Sequence, residues 1–486
     1  MKKYFKYILI LNVIFLYNCQ DAIDIQQPGR LTPDVAFENV QDLQDGLIGL
    51  YTLLDNRAEV SHATNFTDEV AEGIGGGGQG RGTGHIFNIN ATSGGPQTIW
   101  LQNYTIINRV NRFLEAATLV DGDQATINNI VGQAYAIRAY AHFQLISYFS
   151  TDYTDDNALG VIKLDFIPSI ADQLLRNTNG EVFDLISSDL ATAAGLISAQ
   201  SSAQFISRDF VTALRARMAA YRGDYTTAEP LARQLLSSYG LASRANFQLM
   251  WLDENDDEVI FELARVLNGP YDFQAGWIGI NWAFVNATIG GGSFYEFNRA
   301  LFNLFDPADI RYDAYLAPSA QPSADYQNEP DYFQGDVLTV GKYPGIPGAP
   351  LHNSHKIFRS SEMLLIAAEA RAAANDLGGV ATLIKQLRDA RFDTAQPLPT
   401  YSNATDAWAA ILDERRVEFA FEGHRWKDLK RLGALANKTI ERDPLDCSTF
   451  NMICTLPITD HRFTLPLPIA EFDGNPGLRA QQNPGY

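Results

Sequence analysis

The stretch DERRVEFAFEGHRWKDLKR, residues 413–431, contains the side-chain types of an acid–base active site. Eleven of its nineteen residues are charged, and His424 stands among them. Carboxylates beside a histidine can take up and release protons during a reaction. Glu414, Glu418 and Glu422 are four residues apart, however, so on a helix they form a single carboxylate stripe. Such a stripe is equally suited to pairing with the charges of a neighbouring helix.

Charged residues earlier in the chain favour pairing. Arg359, Arg388 and Arg391 belong to the preceding predicted helix pair and can supply partners for the stripe. The zinc-protease motif HExxH is absent from the sequence. We therefore predict that residues 413–431 form an ion-pair network between packed helices, with catalysis as the alternative. The role predicted for this stretch is architectural.

Three other motifs lack parts that their chemistry requires. The glycine-rich run 73–84 has no GK[ST] ending and no apolar strand before it, which favours a surface or binding loop over a phosphate cradle. Residues 253–258, DENDDE, lack the glycine and final glutamate of an EF-hand loop. His352 and His355 have no third metal ligand nearby. We predict no cofactor, no metal site and no enzymatic activity.

The first residues, MKKYFKYILILNVIFLYNC, have the pattern of an export signal. Three lysines precede an apolar run that is shorter than the ~20 residues a membrane-spanning helix needs. Because the run stops at Cys19, we predict a lipoprotein signal over residues 1–18, with Cys19 as the acylated residue. An ordinary signal peptide is the alternative.

The chain is acidic, with a formal net charge of −20. Removal of residues 1–18 would remove three lysines and bring the charge to −23. A surface that neutralises nucleic-acid phosphates needs an excess of lysine and arginine. The charge therefore argues against nucleic acid as a partner and disfavours strongly anionic polysaccharides as ligands.

Cys447 and Cys454 are the cysteines that remain after the predicted signal is removed. An exported protein meets oxidising conditions, in which two cysteines of one loop-like segment can pair. We predict a disulfide between them, and two free thiols are the alternative. In the chain-entropy model so short a loop contributes about 2 kcal/mol.

Helical periodicity dominates the rest of the sequence and includes three helix–turn–helix pairs. The clearest pair is residues 213–236, ALRARMAAYRGDYTTAEPLARQLL, in which an alanine-rich helix ends at Gly223 and a second helix begins at Tyr225. Residues 360–392 and 407–433 repeat this layout, which is typical of tetratricopeptide units. We also predict long helices over 32–56 (capped by Thr32 or Asp34), 98–120 and 128–150, and a further one between 181 and 197.

Two regions interrupt the helical pattern. One is the glycine-rich run, and the other covers about residues 241–355, which are rich in Gly, Pro, Asn and aromatic residues and contain one short strand at 258–263. Long loops on a rigid scaffold are where binding usually occurs. Trp277, Trp282 and Tyr295 lie in the second region, where exposed rings could stack on sugars or extended peptides; burial beneath the loops is the alternative.

The chain resembles the SusD/RagB family of outer-membrane nutrient-binding lipoproteins over almost its whole length. The resemblance rests on the lipoprotein-like start and on these segments, in the family's order: WLQNYTIINRVN, IRAYAHFQLISYFS, RGDYTTAEPLARQLL, DEVIFE, RSSEMLLIAAEARAAA, IKQLRDARF, ILDERRVEFAFEGHRWKDLKRLG and LPLPIAEFDGNPGLRAQQNPGY.

The fold that the resemblance implies is mainly α. A tetratricopeptide-like scaffold, here about 32–240 and 356–435, is capped by an irregular loop region with short strands, here about 241–355. Residues 19–486 then form one SusD-like domain that ends in an irregular segment, 436–486. This expectation agrees with the helix pairs found from periodicity alone.

The function that the resemblance implies is non-catalytic binding of oligosaccharides at the cell surface, with delivery to a TonB-dependent (SusC-like) transporter in the outer membrane. By the same resemblance Trp100 and Asn103, and more loosely Asp68 and Arg81, are ligand contacts. Binding of oligopeptides by the same fold is the alternative. A surface glycosidase would need a carboxylate pair across a cleft, which nothing in the sequence specifies. A protein–protein adaptor would suit the helical repeats but not the aromatic loop.

Overall fold

The structure is a computed structural model that describes residues 37–73, 84–198, 202–265, 295–346, 352–448 and 452–486. The predictions for Cys19, Arg81, Trp277 and Trp282 lie outside these residues. Within the described ranges, no helix combines the length and the apolar composition that crossing a bilayer requires.

Helices account for most of the described chain, and six short strands accompany them. In chain order the helices are α1 (Val40–Tyr51), α2 (Arg57–Phe66), α3 (Gly94–Ala117), α4 (Gln124–Phe149), α5 (Asn179–Leu196), α6 (Arg208–Tyr221), α7 (Tyr225–Leu236), α8 (Arg244–Met250), α9 (Arg299–Phe302), α10 (Ile310–Tyr315), α11 (Tyr332–Gly335), α12 (Ser360–Ala373), α13 (Leu377–Arg391), α14 (Ala404–Glu418), α15 (Arg425–Ala436), α16 (Pro444–Ser448) and α17 (Ile469–Gly474). The strands are β1 (Val70–Glu72), β2 (Val259–Leu263), β3 (Tyr295–Phe297), β4 (His355–Arg359), β5 (Ile440–Glu441) and β6 (Thr455–Leu456).

Side-chain caps fix where the helices begin. Asn39 caps α1, because its side chain accepts hydrogen bonds from the backbone N–H groups of Gln41 and Asp42 while the Asp42 carboxylate accepts from the Asn39 N–H. The caps predicted at Thr32 and Asp34 are therefore wrong for this helix, and the two residues lie outside the described ranges.

The three predicted helix–turn–helix pairs are present as α6–α7, α12–α13 and α14–α15. Between α6 and α7 the chain turns at Gly223, whose φ of 71° is one that glycine adopts without strain. Asp224 then caps α7 by accepting from the backbone N–H of Thr227. Helix α12 packs against α7, α13 and α14, so the pairs form one continuous scaffold.

The strands pair in three short antiparallel ladders: β1 with β3, β2 with β4, and β5 with β6. In the first ladder Val70 lies opposite Phe297 and Glu72 lies opposite Tyr295. The second ladder carries a register irregularity near Phe261. The first two ladders join segments that lie far apart in the sequence.

The apolar core has two parts. The larger part fills the helical scaffold, and the smaller lies beneath the loop region, where Trp251, Phe297, Tyr315 and Phe421 are buried together. Phe421 belongs to the turn between α14 and α15. In that turn Gly423 has a φ of 82°, and a Cβ there would lie 3.0 Å from Val60. The charged stretch 413–431 is thus in direct contact with both parts of the core.

Candidate functional site

The predicted carboxylate stripe is buried, and its predicted arginine partners contact it. Arg388 lies 2.7 Å from Glu414, and Arg391 and Arg359 lie 2.9 Å and 2.8 Å from Glu418. The prediction of an ion-pair network between packed helices is confirmed.

Glu418 is the centre of this network, which we call the Glu418 network. Its side chain is not exposed, and Arg311 also approaches it, at 3.2 Å. Burial alone would raise the pKa of Glu418, but the charges of Arg391, Arg359 and Arg311 outweigh this effect and hold the pKa well below its usual range. Glu418 is therefore a permanent anion and cannot serve as a proton carrier near neutral pH.

The Glu418 network also contains residues that were not among the predicted partners. Glu258 bonds both Arg359, at 3.0 Å, and Arg391, at 2.7 Å. Lys342 bonds Glu422 at 2.8 Å. Glu258 ends the acidic run 253–258, is fully buried and directly precedes the buried strand β2. The apolar run that follows Glu258 in the sequence was the available signal for its burial.

His424 is buried in contact with an aromatic ring and an arginine. The imidazole stacks on Phe419 with ring centroids 4.6 Å apart, and burial with nearby arginine charges lowers its pKa well below the usual range. Nearby, Asp428 bonds Arg415 and Arg431, each at 2.8 Å. The stretch 413–431 therefore joins neighbouring elements of the scaffold through buried charge pairs.

Asp68, expected to contact ligand, is instead fully buried beneath the same stretch. Its carboxylate accepts two hydrogen bonds from Arg425, at 2.8 and 2.9 Å, and lies 3.3 Å from Arg416. A third hydrogen bond comes from the backbone N–H of Glu441 at 3.1 Å. In this structure the carboxylate is thus paired with protein groups, and its role as a ligand contact stays a prediction.

Trp100 and Asn103, the other expected contacts on α3, also lie in the core. The Trp100 ring is 1% exposed and packs against Tyr104 and Phe149, with ring centroids 4.8 Å apart in each case. Asn103 donates to Glu59 at 3.0 Å and to the carbonyl of Ile99 at 2.8 Å. Neither side chain offers a surface to a ligand in this structure, because both face the inside of the α2–α3–α4 packing.

Tyr295 lies at one end of the β1–β3 ladder, where both predicted binding loops adjoin the ladder in the chain. It is half-buried, opposite Glu72 in the β1–β3 ladder, and its ring centroid is 5.6 Å from that of His85. The glycine-rich run follows Glu72 in the chain, and the aromatic segment that contains Trp277 and Trp282 precedes Tyr295. The ladder therefore joins the two predicted binding loops at one place.

The remaining motifs have structural roles. The sulfur atoms of Cys447 and Cys454 are bonded, which closes the turn after α16. His352 and His355 are buried, and among the described residues no group of three His, Cys, Asp or Glu side chains could hold a metal ion.

This combination of features defines a class of protein. A scaffold of helix pairs, joined by buried charge pairs, carries short strand ladders next to the predicted binding loops, and such an arrangement is typical of binding proteins. The chain belongs to the SusD/RagB family. A SusD family model matches residues 349–486, and a second model, described as "Starch-binding associating with outer membrane", matches residues 26–221.

Relatives and solved structures agree with this assignment. A SusD-like protein of Formosa agariphila is 24% identical, with 100% of both chains covered, and a second from the same organism is 23% identical. A SusD superfamily protein from Bacteroides thetaiotaomicron superposes with a TM-score of 0.77 at 23% identity, over 92% of this chain and 100% of that chain. A SusD-like carbohydrate binding protein from Bacteroides vulgatus gives 0.74 at 20% identity, over 92% and 98%.

These comparisons confirm the predicted fold class, which is mainly helical and SusD-like. Members of the SusD family are non-catalytic binding proteins, in agreement with the prediction that the chain is not an enzyme.

Proposed function

We propose that this chain is a surface-exposed lipoprotein of the outer membrane that binds oligosaccharides and delivers them to a TonB-dependent, SusC-like transporter. The observation that carries the proposal is the pairing of Glu72 with Tyr295, which joins the glycine-rich and aromatic loops at one ladder. Aromatic rings beside polar groups suit the apolar faces and hydroxyl edges of sugars. The starch-binding description of the model matching residues 26–221 supports the same ligand class.

Within this proposal, ligand contacts come from Tyr295 together with Arg81, Trp277 and Trp282, three residues of the two loops. Tyr295 is the member whose position the structure describes. The scaffold behind it is rigid, because the adjoining β1 and β3 residues Val70 and Phe297 are buried in the smaller core. A rigid support lowers the entropy lost when a ligand binds.

Affinity electrophoresis of the soluble chain 20–486 in gels that contain amylopectin, xylan or laminarin tests the ligand class. We expect retardation in at least one gel, with Tyr295→Ala reducing it. Tyr401→Ala is the matched control, because Tyr401 is also half-buried but precedes scaffold helix α14. Migration unchanged in every glycan gel, together with calorimetric binding of tetrapeptides, would replace the proposal with the oligopeptide alternative.

The anchor requires a separate experiment. If Cys19 is acylated, Cys19→Ala should move the protein from the membrane fraction to the soluble fraction while its melting temperature stays unchanged. A single acyl chain binds a membrane only marginally, whereas several chains hold firmly. Absence of palmitate labelling in the wild type, with unchanged fractionation of the variant, would contradict the lipoprotein assignment. Co-purification of a TonB-dependent transporter with the wild type tests the partner.

A further inference from the structure

Three half-buried aromatic rings lie together in the described part of the loop region. Tyr326 and Tyr332 have ring centroids 6.4 Å apart with an angle of 53° between their planes. The ring of Phe333 lies 5.3 Å from that of Tyr332 at 71°. All three are partly exposed. We call these rings the Tyr326 cluster; their planes are tilted relative to one another.

A buried arginine supports one side of the Tyr326 cluster. The guanidinium of Arg299 lies 3.9 Å from the centre of the Tyr326 ring and covers part of it. The same guanidinium donates to Asp336 at 2.8 Å, and both of these charged side chains are buried. Asp336 thus holds the Arg299 guanidinium in place, and the guanidinium in turn supports the Tyr326 ring.

A buried carboxylate holds Tyr332, the second tyrosine of the Tyr326 cluster. The Tyr332 hydroxyl donates to Asp446 at 2.6 Å, and the second oxygen of Asp446 accepts from the backbone N–H of Arg299 at 2.7 Å. Asp446 is 3% exposed and precedes Cys447, which the disulfide to Cys454 holds in place. Burial raises the pKa of Asp446 to about 7. Asp446 therefore bonds Tyr332 directly and also bonds the backbone of Arg299, whose guanidinium supports Tyr326.

Polar groups surround the rings. Asn303 and Gln327 both donate to the Tyr326 hydroxyl at 3.4 Å. Gln327, Asn328 and Gln334 are exposed at the edge of the cluster and can form hydrogen bonds with a solute. Apolar ring faces bordered by amides match a sugar ring, which has C–H faces and a hydroxyl edge.

We propose that the Tyr326 cluster is a second carbohydrate subsite, which takes further sugar units of the glycan or a separate neutral oligosaccharide. The inference rests on the proposed glycan-binding function, but it concerns different residues. Because Arg299 and Asp446 fix both tyrosines before a ligand arrives, little side-chain freedom is lost on binding. The cluster is also close in the chain to the first site, since β3 leads directly from Tyr295 into α9, which begins at Arg299.

Calorimetric titration of the soluble chain with maltoheptaose, xylohexaose and laminarihexaose tests the subsite. Tyr326→Ala removes a ring and should weaken the affinity for the bound glycan roughly tenfold. Tyr332→Phe keeps the ring but removes the bond to Asp446, so we expect a smaller loss, about twofold to fivefold. Tyr239→Phe is the matched control, because its hydroxyl donates to Asp209 at 2.9 Å on the helical scaffold. That variant should keep wild-type affinity.

Thermal melts of each variant separate lost contacts from lost folding, and Phe333→Ala replaces Tyr326→Ala if the latter does not fold. Wild-type affinity in folded Tyr326→Ala and Phe333→Ala proteins, with weaker binding in Tyr295→Ala, would overturn the second subsite and leave the proposed function standing. Absence of binding by the wild type to all three oligosaccharides would overturn both. Weaker binding in the folded Tyr326 cluster variants, with the Tyr239→Phe control unchanged, supports the inference.

Discussion

The carboxylate of Glu418 lies 2.9 Å from Nη2 of Arg391, and neither side chain is exposed to solvent. The pair joins the last residue of α14 to the last residue of α13, and Arg359 joins the same carboxylate to the end of β4. A buried charge pair often adds little net stability compared with an apolar pair, but removing one member is costly because the other stays buried without a partner.

Glu418→Gln should therefore lower the free energy of unfolding by about 3–5 kcal/mol. Urea unfolding followed by circular dichroism measures the effect. The control is Lys385→Gln, which breaks the pair of Lys385 with Asp389, whose side chains are 29% and 37% exposed. That change should cost under about 1 kcal/mol. A Glu418→Gln protein that has wild-type stability but no ligand binding would make residues 413–431 a functional site.

Glu59 should make stability fall as pH rises. Burial raises its pKa to about 7 from an ordinary value of 4.5, and one carboxylate oxygen accepts from Asn103. Between these pH values the folded protein holds a proton that the unfolded chain releases. The stabilisation is therefore fully present below pH 4.5 and is lost as pH rises through 7. Over this range the contribution of Glu59 to the free energy of unfolding falls by about 3 kcal/mol.

Glu59→Gln should remove this pH dependence, because the amide does not titrate and can still accept from Asn103. Unfolding free energies of both proteins, measured from pH 4 to 8, give the difference curve. We expect the variant to gain stability relative to the wild type as pH increases. Parallel curves would show that Glu59 has an ordinary pKa in the folded protein.

Trp100→Ala should act through stability, since the ring is 1% exposed between α3 and α4. We expect a loss of about 3–5 kcal/mol, similar to that of Trp408→Ala in the scaffold helix α14, because both changes leave a cavity in a packed core. Thermal melts compare the two variants, and calorimetry measures ligand affinity in whatever remains folded. A Trp100→Ala protein with the wild-type melting temperature but no glycan binding would return Trp100 to the ligand site.

Replacing both Cys447 and Cys454 with serine should lower the unfolding free energy by about 2 kcal/mol, the value expected for so short a closed loop. Urea unfolding of the wild type with and without dithiothreitol provides the internal control. The reductant should bring the wild type to the level of the double variant and leave that variant unchanged. An effect of dithiothreitol on the double variant would mean that the reductant acts elsewhere.

The helical scaffold could be predicted because its signals are local. The pair α6–α7 was recognised from an alanine-rich stretch, a glycine turn and renewed periodicity, and its turn lies where Gly223 indicated. The partners of Glu418 were predicted from the same kind of signal, because three- and four-residue spacing places charges on defined helix faces. Arg391 lies on the adjacent helix α13, whereas Arg311, which was not predicted, comes from a segment about a hundred residues earlier.

Burial of individual polar and aromatic residues was harder to predict, because it depends on contacts between distant segments. Asp68 pairs with arginines more than three hundred residues later in the chain. Trp100, Asn103, Ile107 and Val110 follow helical spacing, which was a usable sign that Trp100 faces inward. The Tyr326 cluster has no sequence spacing that identifies it, since Arg299 and Asp446 assemble it from separate segments.

The Glu418 network also bears on the order in which the protein can fold. Its arginines, at 311, 359 and 391, are synthesised before the carboxylate that they share. Glu258 and Asp309 also precede Glu418 and can pair with these arginines earlier, but the carboxylate that all three share is added only near the C-terminus. Burying the arginines before that carboxylate is present would leave part of their charge uncompensated, which is costly. The Glu418 network therefore couples completion of the buried core to synthesis of the C-terminal part of the chain.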